Sequence, residues 1–163
     1  MAEKQVIVVG FDDSAHSRYA LDWTLEHFFT NQATKSLFKL IIVNAKVAPV
    51  SVLGLAGPAS TEVYSLEEVD LQKKSEKASQ TAMEICKAKS VNVQVDDVTV
   101  VTEEGDPRTV ICDAIDKYKA SFLVVGSHGY GPIKRYHFQG NLVKIDQDQE
   151  TNESVLQSTD PVH

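Results

Sequence analysis

Basic residues are in short supply in this chain: 16 Lys and Arg stand against 23 Asp and Glu, a formal net charge of −7. Phosphate backbones and anionic membrane surfaces reward Lys and Arg, so neither nucleic acid nor membrane is an expected partner. No apolar run is long enough to cross a bilayer. The opening "MAEKQVIVVG" lacks the apolar core of a signal peptide, and the expected location is the cytoplasm, with the nucleus as the alternative. Cysteine is scarce too. Cys86 and Cys112 stand in neither a CxxC nor a Cys/His cluster, which removes zinc; both are expected on apolar helix stripes as reduced, buried thiols. The histidines are scattered, and no Ser/His/Asp or paired-carboxylate arrangement is evident.

What the chain does have is alternation of strand and helix signals. Its 163 residues suit one domain with a real core. "QVIVVGF" (Gln5 to Phe11), "LFKLIIVNA" (Leu37 to Ala45) and "SFLVVG" (ending at Gly126) are short continuous apolar runs, as expected of strands covered on both faces. "VNVQVDDVTVV" (Val91 to Val101) alternates before turning apolar and is expected nearer the sheet edge. Between these runs lie helix signals over about Ala15–Phe29, Leu66–Lys89 and from Asp106 to Tyr118. Asp13 or Ser14 can cap the first, and Asp106 with Pro107 opens the last. The stretch "KVAPVSVLGLAGPASTEVYS" reads as an irregular excursion. The order β-α-β-α-β-α-β predicts an α/β fold, a doubly wound parallel sheet of Rossmann-like type. Ligands bind such sheets at the carboxyl ends of the strands, where the strand order reverses. Residues 1–140 form the expected domain. From residue 141 onward Asp146, Asp148, Glu150, Glu153 and Asp160 meet no Lys or Arg beyond Lys144, which predicts an acidic, disordered tail over 141–163.

Candidate binding residues cluster in "VVGSHGYGPIKRYHFQGN" (residues 124–141). Gly126 and Gly129 follow a buried strand, and glycines there let backbone amides approach phosphate oxygens. Ser127, Tyr130, Lys134 and Arg135 add donors and charge. His128 inside the loop reads as a solvent-facing residue. Neither a Walker A motif nor GxGxxG is present. Asp12, after the first strand, could hold Mg²⁺, hydrogen-bond a ribose hydroxyl, or cap the helix.

These residues resemble the universal stress protein family, in particular its plant single-domain, UspA-like members. The resemblance rests on "IVVGFDDSAHSRYALDWTL", on "EEGDPRTVICDAIDKYKASFLVVGSHGYGPIKR" and on the element order between them, and it covers residues 1 to about 135. It implies an adenine nucleotide alpha hydrolase-like sheet of five parallel strands, commonly dimeric, that binds ATP or AMP, with Mg²⁺ as an accompanying ion. The family's nucleotide loop reads Gly, two residues, Gly, nine residues, Gly, then Ser or Thr. Carried over, Gly126 and Gly129 face the phosphates, with Ser127 and Tyr130 beside them. Asp12 contacts the nucleoside, Ala45 lies where the backbone after the second strand meets adenine, and Val9 and Gly10 line the pocket.

The third loop position departs from the pattern: Gln139 stands where glycine is expected, Gly140 comes one place late, and Asn141 replaces Ser or Thr. The serine-rich helix start and the closing apolar strand are missing as well. The expectation is therefore four strands with the fifth absent. That would leave the Phe122–Val125 strand as an apolar edge and weaken any homodimer built on it. "NLVKI" (Asn141 to Ile145) is the one segment that could fold back onto that edge. The leading functional expectation is a non-catalytic adenine-nucleotide-binding protein of the stress response, with weakened grip on terminal phosphates. The alternatives are a protein-interaction module without a nucleotide role and a response-regulator-like phospho-acceptor using Asp12 or Asp13.

Overall fold

The computed structural model describes residues 3–47, 61–89, 97–126, 141–145 and 155–158. Its elements run β1 (Gln5–Gly10), α1 (Ala15–Thr24, widening into a π-helical turn over Leu25–Phe29), α2 (Gln32–Lys35), β2 (Phe38–Lys46), α3 (Thr61–Lys89), β3 (Val98–Glu104), α4 (Pro107–Tyr118), β4 (Phe122–Gly126), β5 (Asn141–Ile145) and β6 (Val155–Ser158). The strands form one sheet in the order β3-β2-β1-β4-β5-β6. β1 to β5 are parallel to their neighbours, and β6 runs antiparallel to β5. β1 and β4 are adjacent, so the strand order reverses between them.

Each strand's two faces feed different halves of the core, because successive side chains point to opposite sides. Ile7, Val9, Leu40, Ile42 and Val124 pack with Leu21, Leu25 and Phe29 of α1 and Ala78, Ala82 and Cys86 of α3. Val8, Ile41, Val43, Leu123 and Val125 pack with Val110, Ile111, Ala114 and Ile115 of α4. The division follows from handedness. Right-handed crossovers from β1 to β2 and from β2 to β3 put α1 and α3 on one face; the return crossover puts α4 on the other.

Local chemistry sets the helix ends. Ser14 caps α1 by accepting the Ser17 N–H at 3.2 Å, which decides between Asp13 and Ser14. Asp106 accepts the Thr109 N–H at 3.3 Å, with Pro107 in the first turn. α4 stops at Lys119, a left-handed residue at φ 50°, ψ 54°. At the amino end of the sheet Phe28 packs edge-on against Phe38 at 4.9 Å and lies 5.5 Å from Phe122, between ring centroids.

Several sequence expectations change. A fifth parallel strand is present: β5 pairs with β4 from Phe122↔Asn141 to Gly126↔Ile145. Val143 is fully buried, in the core half that α1 covers. The β4 edge is therefore covered, and "NLVKI" is the segment that covers it. Asn141–Ile145 and Val155–Ser158, both assigned to the disordered tail, are strands. β6 occupies the outer side of β5, the edge expected to carry a homodimer. Of the expected third strand, Val98–Glu104 pairs with β2 from Leu40↔Val98, and residues 91–96 lie outside the described residues. α3 begins at Thr61 rather than Leu66. Cys86 is buried, but Cys112 is only half-buried; burial first, and then Asp22, pushes the Cys86 thiol up to about 11.

Two substitutions test the ends of α4. Lys119→Gly removes a left-handed strain that costs an L-residue about 1–2 kcal/mol and should raise stability by about 1 kcal/mol. Asp106→Ala leaves an N–H without its cap and should cost about 1 kcal/mol. Urea unfolding of both variants measures the two changes, which should have opposite signs.

Candidate functional site

In open α/β sheets ligands bind in a crevice outside the carboxyl ends of the strands where the order reverses; here that point lies between β1 and β4, beside the turn after Gly10 and Gly126. That turn is built from short polar side chains. Phe11 is buried and donates its N–H to the Val43 carbonyl at 2.9 Å, holding the exit of β1 against β2. Asp12 follows, exposed, and one carboxylate oxygen accepts the Ser14 N–H at 3.0 Å. Buried Ser17 sits beneath it, accepting the Asp12 N–H at 3.3 Å and donating its hydroxyl to the Ser14 carbonyl at 3.1 Å. Partial desolvation raises the Asp12 pKa, but hydrogen bonds from Ser14 and Ser17 together outweigh it, so the carboxyl lies below its ordinary 3.8. Asp12 is therefore a fixed anion at neutral pH.

Asp13 is turned away from this role. It adopts φ 65°, a left-handed conformation that Asp tolerates better than most residues. One of its carboxylate oxygens takes the Arg18 guanidinium through Nε at 2.8 Å and an outer nitrogen at 2.7 Å. The two acids after β1 thus divide: Asp13 closes the turn, and Asp12 faces the crevice.

Gly126 carries a steric requirement that its place in a loop motif does not reveal. A Cβ there would lie 2.7 Å from His16 Cβ and 2.9 Å from the His16 backbone carbon and oxygen. The first turn of α1 therefore rests directly on the end of β4, and only glycine admits that approach. His16 was not among the candidate residues. The signal that could have found it is its place two residues past the Ser14 cap, on the first helical turn beside the crevice.

The remaining candidates fall as follows. Gly10 ends β1 and is buried. Val9 is wholly buried in the core between β1, α1 and α3. Ala45 lies within β2 rather than after it, paired with Glu103 and half-buried on the α4 side. Ser127, His128, Gly129, Tyr130, Lys134, Arg135, Gln139 and Gly140 lie outside the described residues. Asn141 pairs with Phe122, the first residue of β4. It therefore stands about 13 Å along the strand from Gly126, at about 3.3 Å per residue. It occupies the amino end of the sheet, away from the crevice, so it cannot act as the hydroxyl-bearing end of a phosphate loop there. Asn44, buried, donates from Nδ2 to the Ser75 carbonyl at 3.2 Å, tying β2 to α3. Beside Lys46, at the carboxyl end of β2, a cavity of about 480 Å³ opens between the strand and Val69, Gln72 and Lys73 of α3. That volume lies within the range of small-molecule sites, about 300–1,000 Å³. Among the described residues no group of three His, Cys, Asp or Glu side chains is placed to hold a metal ion.

This architecture has relatives. A sequence model of the universal stress protein family matches residues 4–144. The chain belongs to the universal stress protein family. The match runs past Arg135 and takes in β5, the strand expected to be missing. No curated protein matches the sequence. Solved structures do. A universal stress protein family protein from Arabidopsis thaliana with AMP bound aligns over 87% of this chain and 91% of its own, at 20% identity and TM-score 0.59. UspA from Lactobacillus plantarum aligns over 89% and 99%, at 14% identity and TM-score 0.64. A universal stress protein in complex with cAMP aligns over 88% and 98%, at 21% identity and TM-score 0.59. At these identities the likeness is one of fold.

The crevice generates two predictions. Gly126 has no positive φ, so Gly126→Ala tests sterics alone; overpacking should cost about 1–3 kcal/mol, larger than the about 0.4–1 kcal/mol gained by stiffening the unfolded chain. Chemical denaturation should show net destabilisation. The lowered Asp12 pKa gives stability that is complete above the ordinary 3.8 and lost as pH falls through the lowered value. Asp12→Asn should remove that acid-sensitive share, so the stabilities of the two proteins should converge in acid when melting is followed against pH.

Proposed function

We propose that the crevice at the carboxyl ends of β1 and β4 binds an adenine nucleotide, AMP or ATP, and that the chain acts in the stress response by binding rather than by turnover. The observation that carries this reading is the convergence, at the one reversal of strand order, of an Asp12 carboxylate kept ionised by its own turn and a Gly126 packed on the first turn of α1. Asp12 has the chemistry to accept hydrogen bonds from ribose hydroxyls. Family members of the same fold with AMP and with cAMP bound support the ligand class. The cavity beside Lys46 offers further space of the right order.

The phosphate side of the reading differs from the sequence motif. Asn141, aligned with the last position of the phosphate loop, stands at the far end of β4 and not at the crevice. The contribution of a γ-phosphate to affinity is correspondingly small, and Mg²⁺ would be held by the phosphates and Asp12 rather than by a protein cage. Turnover would need a positioned general base, which the crevice residues do not suggest. A homodimer through the outer side of β5 would require β6 to leave that edge. The phospho-acceptor alternative is disfavoured by the same geometry: Asp13 is engaged by Arg18 and Asn44 by the Ser75 carbonyl, so no carboxylate cluster forms around Asp12. A cytoplasmic location fits this role.

Titration calorimetry with AMP, ADP and ATP tests the proposal. AMP and ATP should bind with affinities within about threefold, and Asp12→Ala should weaken both by about tenfold or more, the loss of a hydrogen bond to a charged group being about 1.5–3 kcal/mol. No saturable binding of any of the three at millimolar concentration would refute it.

A further inference from the structure

The opposite end of the sheet from β6 offers a second surface with its own chemistry. Among the described residues β3 ends the sheet, and alternate residues of such a strand turn their N–H and C=O groups away from its paired neighbour β2. Against this strand lies a cavity of about 250 Å³ between β3 and α4. Val101, Val110 and Ala114 supply apolar lining. Thr102 meets Ser79 of α3 at 3.0 Å, so alternation along the strand puts Val101 and Glu103 on the α4 side. Glu103 and, across from it on α4, Asp113 are both exposed and both line the cavity. The lining cation, Lys117, lies over the Tyr118 ring at 5.4 Å. Glu103, Glu104 and Asp113 outnumber Lys117 around the cavity; after burial itself, Asp116, Asp113 and Asp106 push up the neighbouring Cys112 thiol.

Size and charge choose the occupant. The cavity falls below the about 300–1,000 Å³ of small-molecule sites and suits a single long side chain. An apolar floor with carboxylates at the rim matches a Lys or Arg, whose methylene stem packs while its head stays paired. A second copy of this chain is a poor match, since each copy brings a net charge of −7. None of these residues belongs to the crevice at β1 and β4.

We propose that β3 and this cavity receive an extended basic segment of another protein, which adds to the sheet as a strand beyond β3 and sets a Lys or Arg side chain between Glu103 and Asp113. Backbone hydrogen bonds supply affinity, and the cavity supplies the preference for a cation.

The test uses the full chain and a fluorescent seven-residue peptide alternating Lys with Thr. Two control peptides accompany it: one with Glu in place of Lys, and one N-methylated at alternate residues so that it cannot extend the sheet. Anisotropy should give saturable binding with Kd at or below about 100 μM, and each control should bind at least about tenfold more weakly. Glu103→Lys and Asp113→Lys should each weaken the Lys peptide by about tenfold, and Glu103→Gln should reproduce part of the loss without reversing charge. Amide shifts on binding should concentrate in Val98–Glu104 and Val110–Tyr118. The proposal is overturned by absence of saturable binding, by equal binding of either control, by indifference to all three substitutions, or by shifts centred on another surface.

Discussion

The close approach of α1 to the end of β4 is the constraint on which the candidate site depends. Adding a single methyl group at Gly126 would drive a carbon to within 2.9 Å of the His16 main chain. Because His16 lies two residues beyond the Ser14 cap, that contact also sets where the Asp12–Ser14–Ser17 turn sits. The glycine thus positions a carboxylate to which it is not bonded. Parallel pairing through Val9↔Val124 aligns the ends of β1 and β4, and the absent Cβ lets the helix settle onto that level. A ligand at this crevice would meet a geometry fixed by the core beneath it.

Burial below the crevice explains why the turn can be so polar. Ile7, Val8, Val9, Leu123, Val124 and Val125 are all fully buried, so the central strands contribute hydrophobic stability on both faces. The polar groups at their exits then satisfy one another. Ser17, although buried, has partners in the Asp12 N–H and the Ser14 carbonyl, which removes the penalty for burying a hydroxyl. The cost of holding Asp13 in a left-handed conformation is met locally, by its pairing with Arg18.

How much of this was legible in the sequence depends on whether the signal was local. β1, β2 and β4 announced themselves as short β-branched apolar runs. The start of α4 was visible in Asp106–Pro107, because a cap and a pre-set φ act within one turn. The family resemblance pointed to Asp12 and Gly126, which lie at the carboxyl ends of the adjacent strands β1 and β4. What failed was non-local. "NLVKI" is too short and too ordinary to announce a strand; it becomes one through pairing with β4 and through Val143 filling the core. Val98 to Glu104 takes its register from β2, a pairing that no local pattern specifies. The period of two along β1 sends the Val9 side chain into the core, which a motif alone does not reveal.

The position of Asn141 carries the final step. The backbone amides and helix amino termini that face an anion on such a sheet lie at the carboxyl ends of the strands. Here the chain re-enters at the amino end, level with Phe122, and runs forward again as β5. Residues 127–140 lie outside the described residues, but Asn141 is committed to the strand at the sheet end opposite Gly126. The turn after β1, held by Ser14 and Ser17, does not depend on where β5 begins. On the reading proposed above, base and ribose would therefore decide selectivity more than phosphate number.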